Sequence, residues 1–175
     1  MKKFLCVLLI VLTLLSLSAC GQDPNPTTTA PNGSQPAGTT LPAGPKQLNL
    51  AETYTAITSS VQMPDMMRID EDMLLDLYGI KAGQYKQVEV YLCSNNLQAD
   101  EIWLIEAVDA EALAALKALA EARLQQKDDE SVTYSPAQNA IVKKAHLATY
   151  GNYLVMIVSP DVDTITAAFK TQAGV

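Results

Sequence analysis

Two short apolar runs, residues 101–108 and 153–158, constrain the fold of this 175-residue chain more than any other feature. The first is apolar without interruption from Ile102 to Ile105, and the second is apolar along its whole length. Short runs of this kind, bounded by turn-forming residues, are typical of strands that are buried more completely than an alternating strand. We therefore predict that these two segments are the central strands of a sheet.

Each central strand is expected to form a hairpin with the strand that precedes it in the chain. Residues 87–93 alternate between apolar and polar side chains, which indicates a half-buried strand that pairs with 101–108. A second hairpin is predicted from a strand at 141–149, a tight turn at 150–152 and the strand at 153–158.

Each hairpin is followed by a helix that begins at an aspartate. Asp109 is a good N-cap for a helix at 110–127, which is rich in Ala, Leu, Glu and Lys. Asp161 or Asp163 caps a last helix that runs to about Lys170. Hairpin, helix, hairpin, helix is a ββα unit used twice.

Two short helices, at 49–61 and 70–78, are predicted before the first hairpin, and the polar stretch 128–138 is predicted to be a loop. The predicted fold class is α+β. It is a two-layer sandwich in which a four-stranded antiparallel sheet has its helices packed on one face, preceded by the two short helices. One domain, residues 48–175, contains all of these elements.

The N-terminus has the features of an export signal. Lys2 and Lys3 precede an apolar stretch at 4–17, which is too short to cross a membrane comfortably and is typical of a secretory signal peptide at 1–19. Leu17-Ser18-Ala19-Cys20-Gly21 then resembles the lipobox of bacterial lipoproteins. The resemblance implies that Cys20 becomes the new N-terminus and carries two acyl chains, such as palmitate, which together are sufficient for stable anchoring.

Residues 20–47 are dominated by Pro, Thr, Gly, Asn, Ser and Gln, and we predict that they form a disordered tether. Without residues 1–19 the chain has 10 basic and 19 acidic residues, a formal charge of −9. Nucleic-acid binding needs clustered Lys and Arg, and only Lys143 and Lys144 are adjacent in what remains. We therefore exclude nucleic acid as a partner.

Few residues suit conventional catalysis. The single histidine, His146, is expected on an exposed or edge strand, and no Gly-x-Ser-x-Gly, Cys-x-x-Cys or His-Glu-x-x-His motif occurs. The acidic stretch at 65–76 lacks the spacing of a Ca²⁺ loop, and its carboxylates at 70–72 suit a helix start. Cys93 is expected to be a passive free thiol. We expect no enzyme activity, no metal and no cofactor.

Five short segments together resemble a known family. They are Ala99-Asp100-Glu101-Ile102-Trp103, Glu121-Ala122-Arg123-Leu124, Tyr134-Ser135-Pro136, Gly151-Asn152-Tyr153 and Ala168-Phe169-Lys170. Over about residues 50–170 the chain resembles the bacterial lipoprotein family known as domain of unknown function 4358. The resemblance implies an exported, membrane-tethered domain of small α+β type, and it implies no activity.

The best candidates for a binding surface are tyrosines near the second hairpin, because tyrosine gives a large contact area at low entropy cost. The alternative is structural, since tyrosines at strand ends satisfy core and solvent together, and Arg123 is expected to brace the long helix against the loop at 134–136. The candidate binding residues are Tyr134, Pro136, Tyr150, Asn152, Tyr153 and Arg123.

The sequence as a whole predicts a non-catalytic domain on the outer face of the cell membrane, held there through diacylglyceryl-Cys20. Its partner is expected to be an envelope protein, or a glycan or peptide of the cell surface. An exposed edge strand at 87–93 also permits strand addition or a homodimer. The alternative function is an envelope hydrolase or divalent-metal-dependent enzyme that uses the acidic residues.

Overall fold

The computed structural model describes residues 45–175, so the predicted signal peptide, Cys20 and nearly all of the predicted tether lie outside the described residues. The described part contains five α-helices, five strands and a short 3-10 helix at Ala82–Gln84. In chain order the helices and strands are α1 (Leu50–Thr58), β1 (Met66–Arg68), α2 (Glu71–Tyr78), β2 (Tyr85–Cys93), β3 (Glu101–Ala107), α3 (Ala110–Tyr134), α4 (Pro136–Val142), β4 (His146–Tyr150), β5 (Tyr153–Val158) and α5 (Val162–Ala173).

The five strands form one antiparallel sheet in the order β1-β2-β3-β5-β4. Trp103 on β3 lies opposite Val90 on β2 and opposite Met156 on β5, so β3 is hydrogen-bonded along both sides. Both β3 and β5 are buried along their whole length. The prediction that the two most apolar segments are interior strands is confirmed.

The predicted number of strands was wrong by one. β1 pairs with β2, with Met66 opposite Cys93, and Arg68 donates two hydrogen bonds to the Glu89 carboxylate at 2.7 and 3.1 Å. The strand predicted as an exposed edge is therefore covered, and β1 and β4 are the edges. A three-residue strand is too short to show a periodicity of two, which is why the pattern of residues did not indicate it.

The prediction that helices pack on one face was also wrong. Trp103 and Ile105 face a core formed with α2, α3 and α4, whereas Ile102 and Leu104 face a second core formed with α1 and α5. Successive side chains of a strand point to opposite faces, so a strand that is apolar at every position needs cover on both. The described residues, 45–175, form a three-layer α+β structure with the sheet in the middle.

The long helix continues beyond the predicted end at 127. Gln125 and Gln126 donate to the carboxylates four residues later, Asp129 and Glu130, and these contacts support a helical turn made of polar residues. Pro136 then starts α4, because proline is suited to the first turn of a helix and disfavours helix in the residue before it. The predicted loop at 128–138 and the start of the predicted strand at 141–149 are corrected accordingly.

Three of the predicted helix starts are confirmed by side-chain caps. The side chain of Asn49 accepts from the backbone N–H groups of Ala51 and Glu52, and Asp109 accepts from Ala112. Asp70 accepts from Met73 at the start of α2, which accounts for an acidic residue there. The last helix, α5, has Asp161 at its N-cap position without a side-chain cap hydrogen bond, and Asp163 lies in its first turn.

The chain enters the domain at the turn between β4 and β5. Residues 45–48, the entry segment, lie against this turn and against the end of α5, where the backbone N–H of Lys46 donates to the carbonyl of Ala173 at 2.9 Å. Gly151 has a φ of +59°, and a Cβ placed there would lie 2.8 Å from a ring carbon of Pro45. Both the turn and the close approach of the entry segment therefore require glycine.

We predict that Gly151→Ala destabilises the domain by roughly 1–3 kcal/mol, because alanine is strained at positive φ and also displaces Pro45. Gly83→Ala is the matched control, since a Cβ at Gly83 meets nothing within 4 Å. Urea unfolding of the full chain measures both. Equal stabilities for the two variants would show that the entry segment does not pack as described.

Candidate functional site

The buried stripe of α3 changes character along the helix. In its first half the stripe consists of Ala112, Leu116 and Ala120, all in the core. Four-residue and three-residue steps along the same face then lead to Arg123 and Lys127, and Lys127 is only 7% exposed. The C-terminal half of α3 therefore directs cations, rather than apolar groups, towards the sheet.

Glu101 is the partner of both cations. It is the first residue of β3 and is completely buried. Arg123 donates from Nε to both carboxylate oxygens at 3.1 Å and from Nη2 at 2.9 Å, and Lys127 Nζ donates at 2.8 Å. Trp103 donates a further hydrogen bond from Nε1 at 2.8 Å. We call these four residues the Glu101 cluster.

The charge of Glu101 depends on these partners. Burial alone would raise the pKa of its carboxyl, but the charge of Lys127 and the hydrogen bonds and charge of Arg123 outweigh burial, and the pKa lies below its ordinary value. Glu101 is therefore ionised at neutral pH. One buried carboxylate then faces two cations, so the Glu101 cluster has a formal charge of +1.

Aromatic rings of α2 and β3 complete the cluster. The ring of Tyr78 lies edge-on to Trp103, with centroids 4.8 Å apart, and the guanidinium carbon of Arg123 lies 5.4 Å from the Tyr78 centroid. Burial and the charge of Glu101 raise the pKa of Tyr78 well above its ordinary value. The phenol remains neutral, and its ring shields the ion pair from water.

A groove of about 330 Å³ opens beside the Glu101 cluster. It lies between the C-terminal half of α3 and the end of the sheet at which β2 finishes and β3 begins, and we call it the α3 groove. A smaller adjoining cavity of about 40 Å³ shares Lys127, Glu130, Asn96 and Gln98 with it. The lining residues of the groove are Met67, Leu92, Cys93, Ser94, Asn96, Gln98, Arg123, Lys127 and Glu130.

The loop between β2 and β3 is held in place on both sides of the groove. The N–H of Ser94 donates to the carbonyl of Asp65 at 2.8 Å, and the N–H of Ala99 donates to the side chain of Gln138 on α4 at 2.7 Å. Cys93 is buried, and its thiol donates to Gln98 at 3.3 Å. The groove is therefore formed before any ligand arrives, which reduces the entropy cost of binding.

The structure does not bring the predicted binding residues together. Tyr153 is buried on the face covered by α1 and α5, and its hydroxyl accepts from the N–H of Leu48, whereas Arg123 lies on the opposite face. Asn152 donates to Glu106 at 3.0 Å, and Tyr150 packs on Phe169 with centroids 5.3 Å apart. These tyrosines and the asparagine hold the second hairpin and the entry segment.

The other two predicted binding residues lie at the junction of α3 and α4. Tyr134 is the last residue of α3, and Pro136 is the exposed first residue of α4. Arg123 contacts Glu101 and Gln126. Its predicted contact with the segment 134–136 stays a prediction, because the structure does not describe the side chain of Tyr134. Among the candidates whose side chains the structure describes, only Arg123 lines the α3 groove.

Sequence reasoning missed Glu101 and Lys127 as parts of a site. A signal was present, because Arg123 and Lys127 extend the spacing of the buried residues Leu116 and Ala120. A cation on the apolar stripe of a helix requires a counter-charge, and Glu101 at the start of an apolar strand is such a group.

His146 lies on the edge strand β4, as predicted, and on the opposite side of the molecule from β1. Its Nε2 is 3.1 Å from the hydroxyl of Tyr150. Burial and the charge of Lys170 lower the pKa of His146. Within residues 45–175 no group of three or more His, Cys, Asp or Glu side chains is arranged to hold a metal ion.

Comparison with known proteins gives one match. A family model described as "Domain of unknown function (DUF4358)" matches residues 59–159, which include β1 to β5 and the whole α3 groove. No curated protein matches this chain, and no solved structure matches it. None of the helices between residues 45 and 175 combines the length and apolar character needed to cross a membrane.

We predict that Glu101→Gln destabilises the domain by about 3–5 kcal/mol at neutral pH, because it leaves the buried Lys127 and the partly buried Arg123 without this counter-charge. Glu121→Gln is the control on the same region of the molecule, since it breaks only the exposed pair between Lys117 and Glu121 and is expected to cost less than about 1 kcal/mol. Urea unfolding measures both.

The difference in stability between wild type and Glu101→Gln is expected to depend on pH. A carboxyl whose pKa is lowered by folding stabilises the protein above its unfolded pKa of about 4.3, and this stabilisation is lost as pH falls through the lower folded pKa. The stability difference between wild type and Glu101→Gln should therefore be constant above about pH 5 and shrink below about pH 4. A difference that does not change with pH contradicts the assignment.

The contribution of Asp100 to stability has the opposite pH dependence, because folding raises the pKa of its carboxyl. Asp100 is 4% exposed, its Oδ1 has no hydrogen-bond partner among the described residues, and burial raises the pKa of its carboxyl. Its contribution to stability is fully present below the unfolded pKa of about 3.9 and is lost as pH rises through the higher folded pKa. We predict that Asp100→Asn has a higher melting temperature than wild type at pH 7, and that this advantage disappears towards pH 4. A variant less stable than wild type at pH 7 contradicts this.

Proposed function

This chain belongs to the family described as domain of unknown function 4358, and from that premise we propose that it is a non-catalytic binding module, anchored by a lipid on Cys20 to the outer face of the cell membrane. The family description carries no activity, so the proposal depends on the chain's own residues. The partner is an envelope protein, or a peptide or glycan of the cell surface.

The observation that carries the binding proposal is the α3 groove with two cations in its wall, of which Lys127 is buried and Arg123 is partly buried. Arg123 and Lys127 are held by Glu101, and Asn96 and Gln98 add amide donors and acceptors along the lining. Apolar contact comes from Met67 and Leu92. A concave surface with a few fixed polar groups and an apolar wall has the general composition of a ligand site.

The position of the groove also suits a tethered domain. The entry segment lies beside Tyr153 and Glu106, at one end of the central strands, whereas the groove lies beside Glu101 and Cys93 at the other end. The five residue steps from Glu101 to Glu106 separate the two ends by about 17 Å. The groove and the entry segment, to which the predicted tether leads, therefore lie at opposite ends of these strands.

Strand addition, which the sequence predicted for residues 87–93, is proposed for β1 instead. β2 is covered by β1, so the strand edge nearest the groove is that of β1. Pairing there would add a strand beside the groove rather than on β2.

The anchor is tested by Cys20→Ser. We predict that this change releases the domain from the membrane fraction or leaves an uncleaved precursor, because two acyl chains provide the stable attachment. Cell fractionation with metabolic labelling by a clickable palmitate measures this. Lipid labelling of the variant equal to that of wild type contradicts the proposal.

The binding surface is tested by photo-cross-linking in intact cells. A photoreactive residue in place of Asn96, which lines the groove, is expected to capture a partner, whereas the same residue in place of exposed Glu111, in the first turn of α3, is not. An adduct of the same mass and yield at both positions indicates random contact. No adduct at Asn96 counts against the groove as the binding surface.

A further inference from the structure

The Glu101 cluster has one more positive charge than it needs for internal neutrality. Lys127 is 7% exposed, and of its three N–H donors one is accounted for, by the hydrogen bond to Glu101. The described structure contains no carboxylate other than Glu101 within 4 Å of its amine. A buried ammonium that has one acceptor among the described side chains, at the wall of a groove, favours an anionic group in that groove.

The formal charge of +1 on the Glu101 cluster favours a ligand group with a single negative charge. One carboxylate would bring the cluster to neutrality, whereas a phosphate dianion would leave an excess of negative charge beside Glu101. Two other carboxyl groups interact with these cations: Glu130 with Arg123, and Asp100 with Lys127. Glu130 is exposed and already accepts a hydrogen bond from Gln126, and burial raises the pKa of Asp100 and so favours its neutral form. A ligand carboxylate could reach both Lys127 and Arg123 from the groove.

The edge of β1 provides the second observation. The carbonyl of Asp65 accepts from Ser94, and the N–H of Ile69 donates to Val90, so the odd-numbered residues of this stretch direct their backbone groups towards β2. By the alternation of an antiparallel pair, Met66 and Arg68 direct their N–H and C=O groups outwards. These backbone groups lie on the side of β1 away from β2, and the side chain of Met67 on the same strand lines the groove. An extended peptide that paired with this edge would enter the groove by crossing over Met67.

We infer that the α3 groove binds the C-terminal end of an extended peptide, with its terminal carboxylate on Lys127 and Arg123 and its backbone along β1. This inference rests on the proposed function, and it names the ligand class of the same site. The apolar pair Met67 and Leu92 would contact the last side chains of the peptide, and the amides of Asn96 and Gln98 would contact its peptide groups.

The probes are acetyl-alanyl-alanine, its C-terminal amide, and pentanoate as a free acid without peptide groups. Calorimetric titration of the full chain in detergent measures binding, and the fluorescence of Trp103, the only tryptophan, gives a second signal. The peptide acid is expected to bind at least about tenfold more tightly than the amide, since a hydrogen bond between charged groups is worth that much or more.

Two variants and a control locate the carboxylate. Lys127→Gln should weaken binding of the peptide acid by at least about tenfold. Glu130→Gln should strengthen it by about two- to fivefold, because it removes an exposed like charge at the rim and leaves the cluster intact. Glu111→Gln, at the other end of α3, should leave binding unchanged.

Each contrary result overturns the inference. Equal binding of the acid and the amide excludes recognition of the carboxylate, and equal binding of pentanoate excludes a peptide. If Lys127→Gln does not fold, the ratio of the affinities of the peptide acid and the peptide amide, together with the Glu130→Gln variant, still tests the inference. The site is rejected if the two peptides bind equally well and Glu130→Gln does not change binding. No binding of any probe at 10 mM, on the order of the weakest specific interactions, also rejects it. If the inference fails while Asn96 still captures a partner in cells, the binding function stands without this ligand class.

Discussion

The complete burial of β3 is the constraint on which the rest of the structure depends. Its apolar residues require helices on both faces of the sheet, and its two glutamates, Glu101 and Glu106, are carried into the interior with them. A buried carboxylate without partners is costly, so each end of β3 must supply them. The two ends do so in different ways, because neutral amides hold Glu106 whereas cations hold Glu101.

At one end, Glu106 is held mainly by neutral amides. Gln87, Gln47 and Asn152 donate to it at 2.7 to 3.2 Å, and Gln47 belongs to the entry segment. The carboxylate thereby joins the start of the domain to the turn between β4 and β5. These donors are used entirely within the fold, so this end of the sheet is structural.

At the other end, Glu101 is held by cations, and this has a different consequence. Arg123 and Lys127 have more charge and more donors than one carboxylate uses, and both line the α3 groove. Cations that are anchored on Glu101 and line a groove are preorganised for a ligand, because their side chains need not be ordered again on binding. The same contacts that stabilise the long helix therefore also define the surface that we propose to be functional.

The local pattern of residues determined the elements whose neighbours in the chain decide their conformation: both hairpins, the two interior strands, and the helices that begin at Asn49, Asp70 and Asp109. Arg123 could be selected as a brace or a contact, but its partner could not. Only the tertiary structure decided that β1 covers β2, that helices cover both faces, and that Glu101 meets Lys127 across 26 positions of chain. Caps and periodicity act over a few residues, whereas pairing partners and counter-charges are chosen by which distant segments the core brings into contact.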